Sequence, residues 1–337
     1  MVKNRPMMVA ELSANHNGSL STALNTITAA ANVGADAVKF QTWHPDLMCV
    51  DKAYTIKSGK WAGQNLSVLY DKAHTPWEWH KRLFDWAETC GIVAFSTPFD
   101  MPSLQLLENL NCPMYKVASF ELTDTRLITA IANTGKPMII STGMANREEV
   151  ERAAQAAVDG GCQDLTLLKC TSAYPAPASE ANLATMHDYM QYMRRLKRSA
   201  WGLSDHTIEP AVAIAAAALG ASVIEKHFTL HRSNGGLDAE FSVEPHEFEV
   251  TARACRIAAK AVGSVSYGPT ASESTELRRT LHFRRAVKAG QEITEADVVA
   301  SRPGTGADPH QIGFYLGRQA TRDIEAATPL TPDCVHN

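Results

Sequence analysis

The sequence predicts an α/β chain: a (β/α)8 TIM barrel followed by a small, mostly-β domain. Three observations lead there. A short apolar strand, a polar turn and an amphipathic helix recur eight times before about residue 264. The C-terminal ends of those strands are crowded with polar residues, where barrel enzymes carry their chemistry. After a Ser/Thr-rich stretch the pattern changes to short strands and turns, and 337 residues leave room for such an addition.

In chain order, the expected strands are Met8–Leu12, Ala37–Gln41, Val93–Thr97, Met114–Ala118, Met138–Ser141, Leu165–Cys170, Ala200–Leu203 and Val223–Lys226. Helices are expected at 19–33, 76–90, 101–110, 123–134, 147–160, 180–196, 209–219 and 245–262. A doubly wound sheet is the competing architecture, but no Gly-x-Gly-x-x-Gly follows the first strand. These units assign 1–264 to the barrel and 265–282 to a polar linker. Residues 283–337 form the second domain, with short pieces at Arg285–Val287, Ile293 and Val298–Ser301 and a turn at Lys288–Gln291.

Composition narrows the function. Apolar residues make up 45% and charged residues 20%, enough for a sizeable core. A net charge of −4, with both signs interspersed, gives no footprint for nucleic acid or an anionic membrane. The start of the chain lacks the apolar region of a signal peptide, and Ala211–Gly220 is too short to span a bilayer. Seven cysteines without a Cys-x-x-Cys pair are expected to be reduced thiols, so a cytoplasmic protein is expected.

The polar strand ends run in order. Glu11, Asn15, His16 and Asn17 follow the first strand; the second carries Lys39 and Gln41; the third ends at Thr97 and Asp100. The fourth gives Lys116, Ser119 and Glu121, the fifth Ser141 and Thr142, and the sixth Lys169, Thr171, Ser172 and Tyr174. The seventh ends in Ser204, Asp205, His206 and Thr207, and the eighth in Glu225, Lys226, His227 and Thr229, with Asp238 and Glu240 beyond. Lysines with hydroxyls suit a phosphorylated, carboxylated anion, and two histidines at adjacent strand ends suit a divalent metal. Taken singly, each serine reads equally as a strand-end cap, each lysine as an ion-paired side chain, and each histidine as a hydrogen-bonding one.

The blocks AELSANHNGS, GADAVKFQT, FSTPFD, YKVASFEL, ISTGMA, LLKCTSAYPAP, GLSDHT and IEKHFTL resemble the sialic-acid synthase family, in order and at matching separations. The tail from KAGQEITEADVV to EAATPL resembles that family's antifreeze-like (SAF) domain, so the likeness spans about Met8 to Leu330. AHTPWEWH, YKVASFEL and LLKCTSAYPAP lean toward the pseudaminic acid synthase branch. Two stretches depart from the pattern: Gly235-Gly236-Leu237-Asp238, where the family often has Gly-Gly-Pro-Asp, and the insert-like Lys52–Asn65.

The resemblance implies a transferase that condenses phosphoenolpyruvate with 2,4-diacetamido-2,4,6-trideoxy-L-altrose and water, giving pseudaminic acid and phosphate. It implies a divalent metal (Mn2+, or Mg2+/Co2+) on His206 and His227. Phosphoenolpyruvate would be held by Lys39, Thr97, Lys116, Ser119, Ser141, Ser172 and Ser204, and the sugar by Gln41, Tyr174, Asp238 and Arg302. Glu121, Glu11 and Lys116 are the catalytic candidates, and a domain-swapped homodimer is implied. The alternatives are N,N'-diacetyllegionaminate or N-acetylneuraminate synthesis, a Schiff-base aldolase using Lys39, Lys116 or Lys169, and a non-catalytic glycan-binding protein.

Overall fold

The structure is a computed structural model and describes residues 5–195 and 200–336. Eight strands close into a parallel barrel: β1 (Met7–Glu11), β2 (Ala37–Thr42), β3 (Val93–Pro98), β4 (Tyr115–Val117), β5 (Met138–Ser141), β6 (Leu165–Cys170), β7 (Ala200–Asp205) and β8 (Val223–His227). β8 returns to pair with β1, setting Glu11 against His227, while β1 sets Glu11 against Lys39 of β2. Along each strand alternate residues enter the lumen, so the register of neighbours decides which side chains meet there. Gly202 lets β7 lie tight against β8: a Cβ there would lie 2.1 Å from the Val223 carbonyl oxygen.

The connecting helices are α1 (Leu20–Asn32), α2 (Pro45–Met48), α3 (Leu66–Ala73), α4 (His80–Thr89), α5 (Met101–Asn109), α6 (Thr125–Ala132), α7 (Arg147–Asp159), α8 (Thr185–Arg195), α9 (Ala211–Ala218) and α10 (Pro245–Ala261). Their starts are written in the sequence. Ser19 accepts from Thr22 N, Asp100 from Ser103 N ahead of α5, and Asn146 with Glu149 forms a reciprocal capping box at α7. Apolar faces such as Leu127, Ile128 and Ile131 of α6 join one barrel core with Phe95, Ile139 and Ile224. Each such buried side chain contributes about 1.5–3 kcal/mol.

The structure departs from the sequence reading in several places. The helix expected at 180–196 begins only at Thr185, because Asn182 takes a left-handed φ of 44° after a short 3-10 turn at Ala178–Glu180; Leu196 lies outside the described residues. Helices α2 and α3 flank the insert, and no helix was expected there. The stretch taken as linker is exposed only as far as residue 279, since Thr280–Phe283 form a buried strand, β9.

The chain divides into compact units at Met1–Gly263 and Ser264–Asn337. In the second, β9 pairs antiparallel with β10 (Val298–Ser301) over a core that includes Leu281, Phe283, Ile293, Tyr315 and Leu330. Instead of a strand at Arg285–Val287 there is an isolated bridge from Val287 to Ile324, and the Lys288–Gln291 turn closes with Gly290 at φ 77°. Among the described residues of the unit the longest helix is α11 (Ile312–Tyr315), one turn. No helix among the described residues is long and apolar enough to cross a membrane, and Cys49, Cys90, Cys112, Cys170, Cys255 and Cys334 are free thiols.

Candidate active site

The strand ends converge on a buried carboxylate. Glu225 of β8, 3% exposed, reaches across the lumen. Its Oε1 accepts from Lys39 Nζ of β2 (2.9 Å), Lys116 Nζ of β4 (3.1 Å) and Ser204 Oγ of β7 (3.1 Å). Lys39 also ion-pairs with Glu11 Oε2 at 2.9 Å, while Glu11 Oε1 accepts from Ser13 N. Two ammonium groups and two carboxylates thus balance one another out of water. Burial alone would raise Glu225, but Lys116 and Lys39 overcome it and hold the carboxyl well below its usual range. Burial, with Lys116 adding to it, pulls Lys39 down against the attraction of Glu225. An ammonium carries three donors, so Lys116, with one acceptor among the described residues, keeps capacity for a further anion.

Around this ion cluster stand hydroxyls without protein partners. Thr97 Oγ1 of β3 and Ser141 Oγ of β5 are buried and have no hydrogen-bond partner among the described residues. Ser119, after β4, and Ser172, after β6, meet over Gly143, whose N–H donates to Ser119 Oγ at 3.0 Å. A Cβ at 143 would stand 2.1 Å from Ser172 Oγ and 2.9 Å from Ser119 Oγ, so glycine keeps that cradle open. Buried polar groups are ordinarily paired, so this unpaired set leaves hydrogen-bonding capacity for a ligand.

His206 and His227 close the other side, with ring centroids 5.3 Å apart. The Thr171 carbonyl accepts from His206 Nδ1 at 2.8 Å, which leaves Nε2 of the neutral ring as the lone-pair side. Burial lowers His206 but Cys170 beside it outweighs this, with a net rise; burial and then His206 hold His227 well below its ordinary value. His227 Nδ1 is buried without a partner among the described residues. This donor pair fits a divalent cation. No group of three or more His, Cys, Asp or Glu gathers as a cage among the described residues, so a cation would rest on two imidazoles and open positions. Tyr174 lies against His206 (4.3 Å between centroids) and Phe241 against His227 (5.0 Å).

Glu121 sits in a short 3-10 turn after β4; burial pushes its carboxyl up to about 7, and its Oε2 is buried with no partner among the described residues. Gln41 is half-buried on β2. Asp238 is buried, raised by that burial, and accepts from Ser13 Oγ and from Ala14 N at 3.5 Å. His16 accepts from Gly18 N and packs on Trp79, which shapes its loop. Lys169 donates to the Cys170 carbonyl at 2.7 Å and takes no part in the ion cluster. Arg302 is exposed in the second unit.

Residues 26–267 match the model of the NeuB family, and residues 278–336 match the SAF domain. The chain belongs to the NeuB family. Among its relatives, pseudaminic acid synthase of Helicobacter pylori is 39% identical over 334 residues, covering 97% of each chain. N,N'-diacetyllegionaminic acid synthase of Campylobacter jejuni is 35% identical over 330 residues, with 95% of this chain and 97% of that one covered. The crystal structure of N-acetylneuraminic acid synthetase from Leptospira borgpetersenii matches with a TM-score of 0.70 and 30% identity, over 80% of this chain and 89% of that one.

Sequence reasoning gave Glu225 no role, although it stands in a block that carries the likeness. Nothing in the string IEKHFTL says which of Glu225 and Lys226 enters the lumen. Gly143 and Phe241 were missed as well. Their importance lies in what they leave open or abut, and neither leaves a trace in residue type.

Proposed function

We propose that this NeuB-family protein is a pseudaminic acid synthase. It condenses phosphoenolpyruvate with 2,4-diacetamido-2,4,6-trideoxy-L-altrose and water, releasing phosphate. The observation that carries this reading is the Glu225-centred pair of lysines facing unpartnered hydroxyls, beside two adjacent imidazoles. The higher identity to a pseudaminic than to a legionaminic acid synthase supports the choice of sugar.

Lys116 and Lys39 turn their remaining N–H donors to the carboxylate and phosphate of the enol phosphate. Thr97, Ser119, Ser141 and Ser172 donate to its oxygens, a preorganised set that also meets charge developing during reaction, while Ser204, whose hydroxyl donates to Glu225, lines the same site. C3 of the enol phosphate attacks C1 of the open-chain sugar; water adds at C2, and the C2–O bond to phosphate then breaks, leaving the keto acid. His206 and His227 would hold a divalent metal, Mn2+ or Mg2+/Co2+, and bound there it supplies Lewis-acid polarisation of the sugar aldehyde. Glu121, whose proton affinity sits near neutral pH, takes the proton of the attacking water. Glu11 orients Lys39, and Gln41, Tyr174 and Asp238 contact the sugar. The family likeness further supports a cytoplasmic, domain-swapped homodimer in which Arg302 serves the sugar site of the partner subunit.

The test is a panel assay of phosphate release from phosphoenolpyruvate. The 2,4-diacetamido-trideoxy hexose of the altro series is expected to give turnover at least about tenfold above its stereoisomers and N-acetylmannosamine. Preference for another of these sugars overturns the assignment.

A further inference from the structure

The insert Lys52–Asn65 folds back on itself as a tongue. Thr55 bridges Asn65, Ile56 N donates to Gln64 O at 2.9 Å and Gly63 N to Ile56 O at 2.8 Å. From Lys57 to Gln64 every residue is exposed except Trp61. That indole turns in to stand 6.1 Å from the Tyr174 ring and 6.3 Å from Phe241. Its Nε1 is buried and has no hydrogen-bond partner among the described residues. Beside it, Lys60 is ion-paired: its Nζ lies 2.9 Å from Glu240 and 4.6 Å from the Phe241 centroid. The surroundings of Trp61 are therefore aromatic and charge-paired, and its indole N–H is left as an unmade donor. Such a wall suits an uncharged acylamino group, whose methyl packs on rings and whose carbonyl accepts one N–H, better than it suits a carboxylate or a row of hydroxyls.

We propose that Trp61, together with Tyr174 and Phe241, is the specificity wall for the C4 acetamido group of the acceptor sugar, with the indole N–H donating to the amide carbonyl. The proposal rests on the pseudaminic acid synthase reading. The aldehyde belongs beside the imidazoles, and Tyr174 packs directly on His206. Trp61 stands one ring further out, so it meets the distal acylated end of the sugar and not the group next to the aldehyde.

The test compares wild type, Trp61→Phe and Trp61→Ala at saturating phosphoenolpyruvate. The acceptors are the diacetamido sugar and its 4-amino analogue lacking the C4 acetyl group. Trp61→Phe keeps the ring and removes the N–H. It is expected to lose about tenfold in kcat/KM for the diacetamido sugar and little for the analogue, and Trp61→Ala to lose about a hundredfold. The KM for phosphoenolpyruvate and the melting temperature of Trp61→Phe should stay at wild-type values, which a merely structural tryptophan would not allow. If wild type turns over the diacetamido sugar and Trp61→Phe keeps its full preference for it, this inference fails and the function stands. If both sugars and the phosphoenolpyruvate KM shift together, the wall is structural and the inference fails. If wild type rejects the diacetamido sugar, the assigned function fails and takes the inference with it.

Discussion

Glu225 and Lys226 are neighbours on β8, both fully buried and both ion-paired, yet their surroundings differ. Lys226 donates to Asp205 Oδ2 at 2.7 Å and to the Thr207 carbonyl, while Asp205 Oδ1 accepts from Thr207 N and Oγ1. Each charge in that group faces its opposite, and neither Lys226 Nζ nor an Asp205 oxygen is left without a hydrogen bond. Glu225 gathers Lys39, Lys116 and Ser204 on one oxygen and leaves the other, Oε2, without a hydrogen-bond partner among the described residues. Around it Thr97 and Ser141 are unpartnered too. Burial and ion pairing are common to both groups, and the unsatisfied polar atoms are what separate the proposed binding side from the side that braces.

The comparison can be broken most directly at Glu225. Glu225→Gln removes the shared counter-charge of two lysines, and the geometry of both is lost together. A fall of about 100- to 1000-fold in kcat/KM for phosphate release is expected. The change should also destabilise the barrel by up to about 3 kcal/mol in denaturant unfolding, less than a fully orphaned charge because Lys39 retains Glu11. Unimpaired turnover in this variant would erase the distinction drawn between the two groups.

A smaller effect sharpens the catalytic side. With its carboxyl raised to about 7, Glu121 is protonated below that pH and cannot accept a proton from water. The kcat/KM of wild type should therefore climb as pH rises through about 7. Glu121→Gln should lower the plateau by about 10- to 100-fold and flatten that limb. A pH profile that keeps its ascending limb in the variant assigns the proton to another group.

The smallest catalytic effect is expected on the bracing side. Lys226→Met leaves Asp205 buried with only its Thr207 bonds, so stability should fall by about 3 kcal/mol. The phosphoenolpyruvate KM and kcat of the folded protein should stay within about twofold of wild type. A large KM change would mean that the outward pair also shapes the anion site.

Much of this was legible in the string of residues. The order of eight strand–helix units follows from period-2 and period-3.6 patterning, which is a local signal. The crowding of hydroxyls and lysines at strand ends is visible in the same way. The late start of α8 was not, since a single left-handed residue, Asn182, interrupts an otherwise helical pattern. The tongue carrying Trp61 has no periodicity to read, and its inward turn depends on contact with rings more than a hundred residues away.

The sequence by itself determined the barrel, the second unit and the residue types available at the mouth, because these depend on neighbours along the chain. The tertiary structure decided that Glu225 enters the lumen and Lys226 does not, and that Glu225 joins lysines 186 and 109 residues distant. The reason is geometric: strand pleat assigns alternate residues to opposite faces, and only the register of a closed sheet says which face is which.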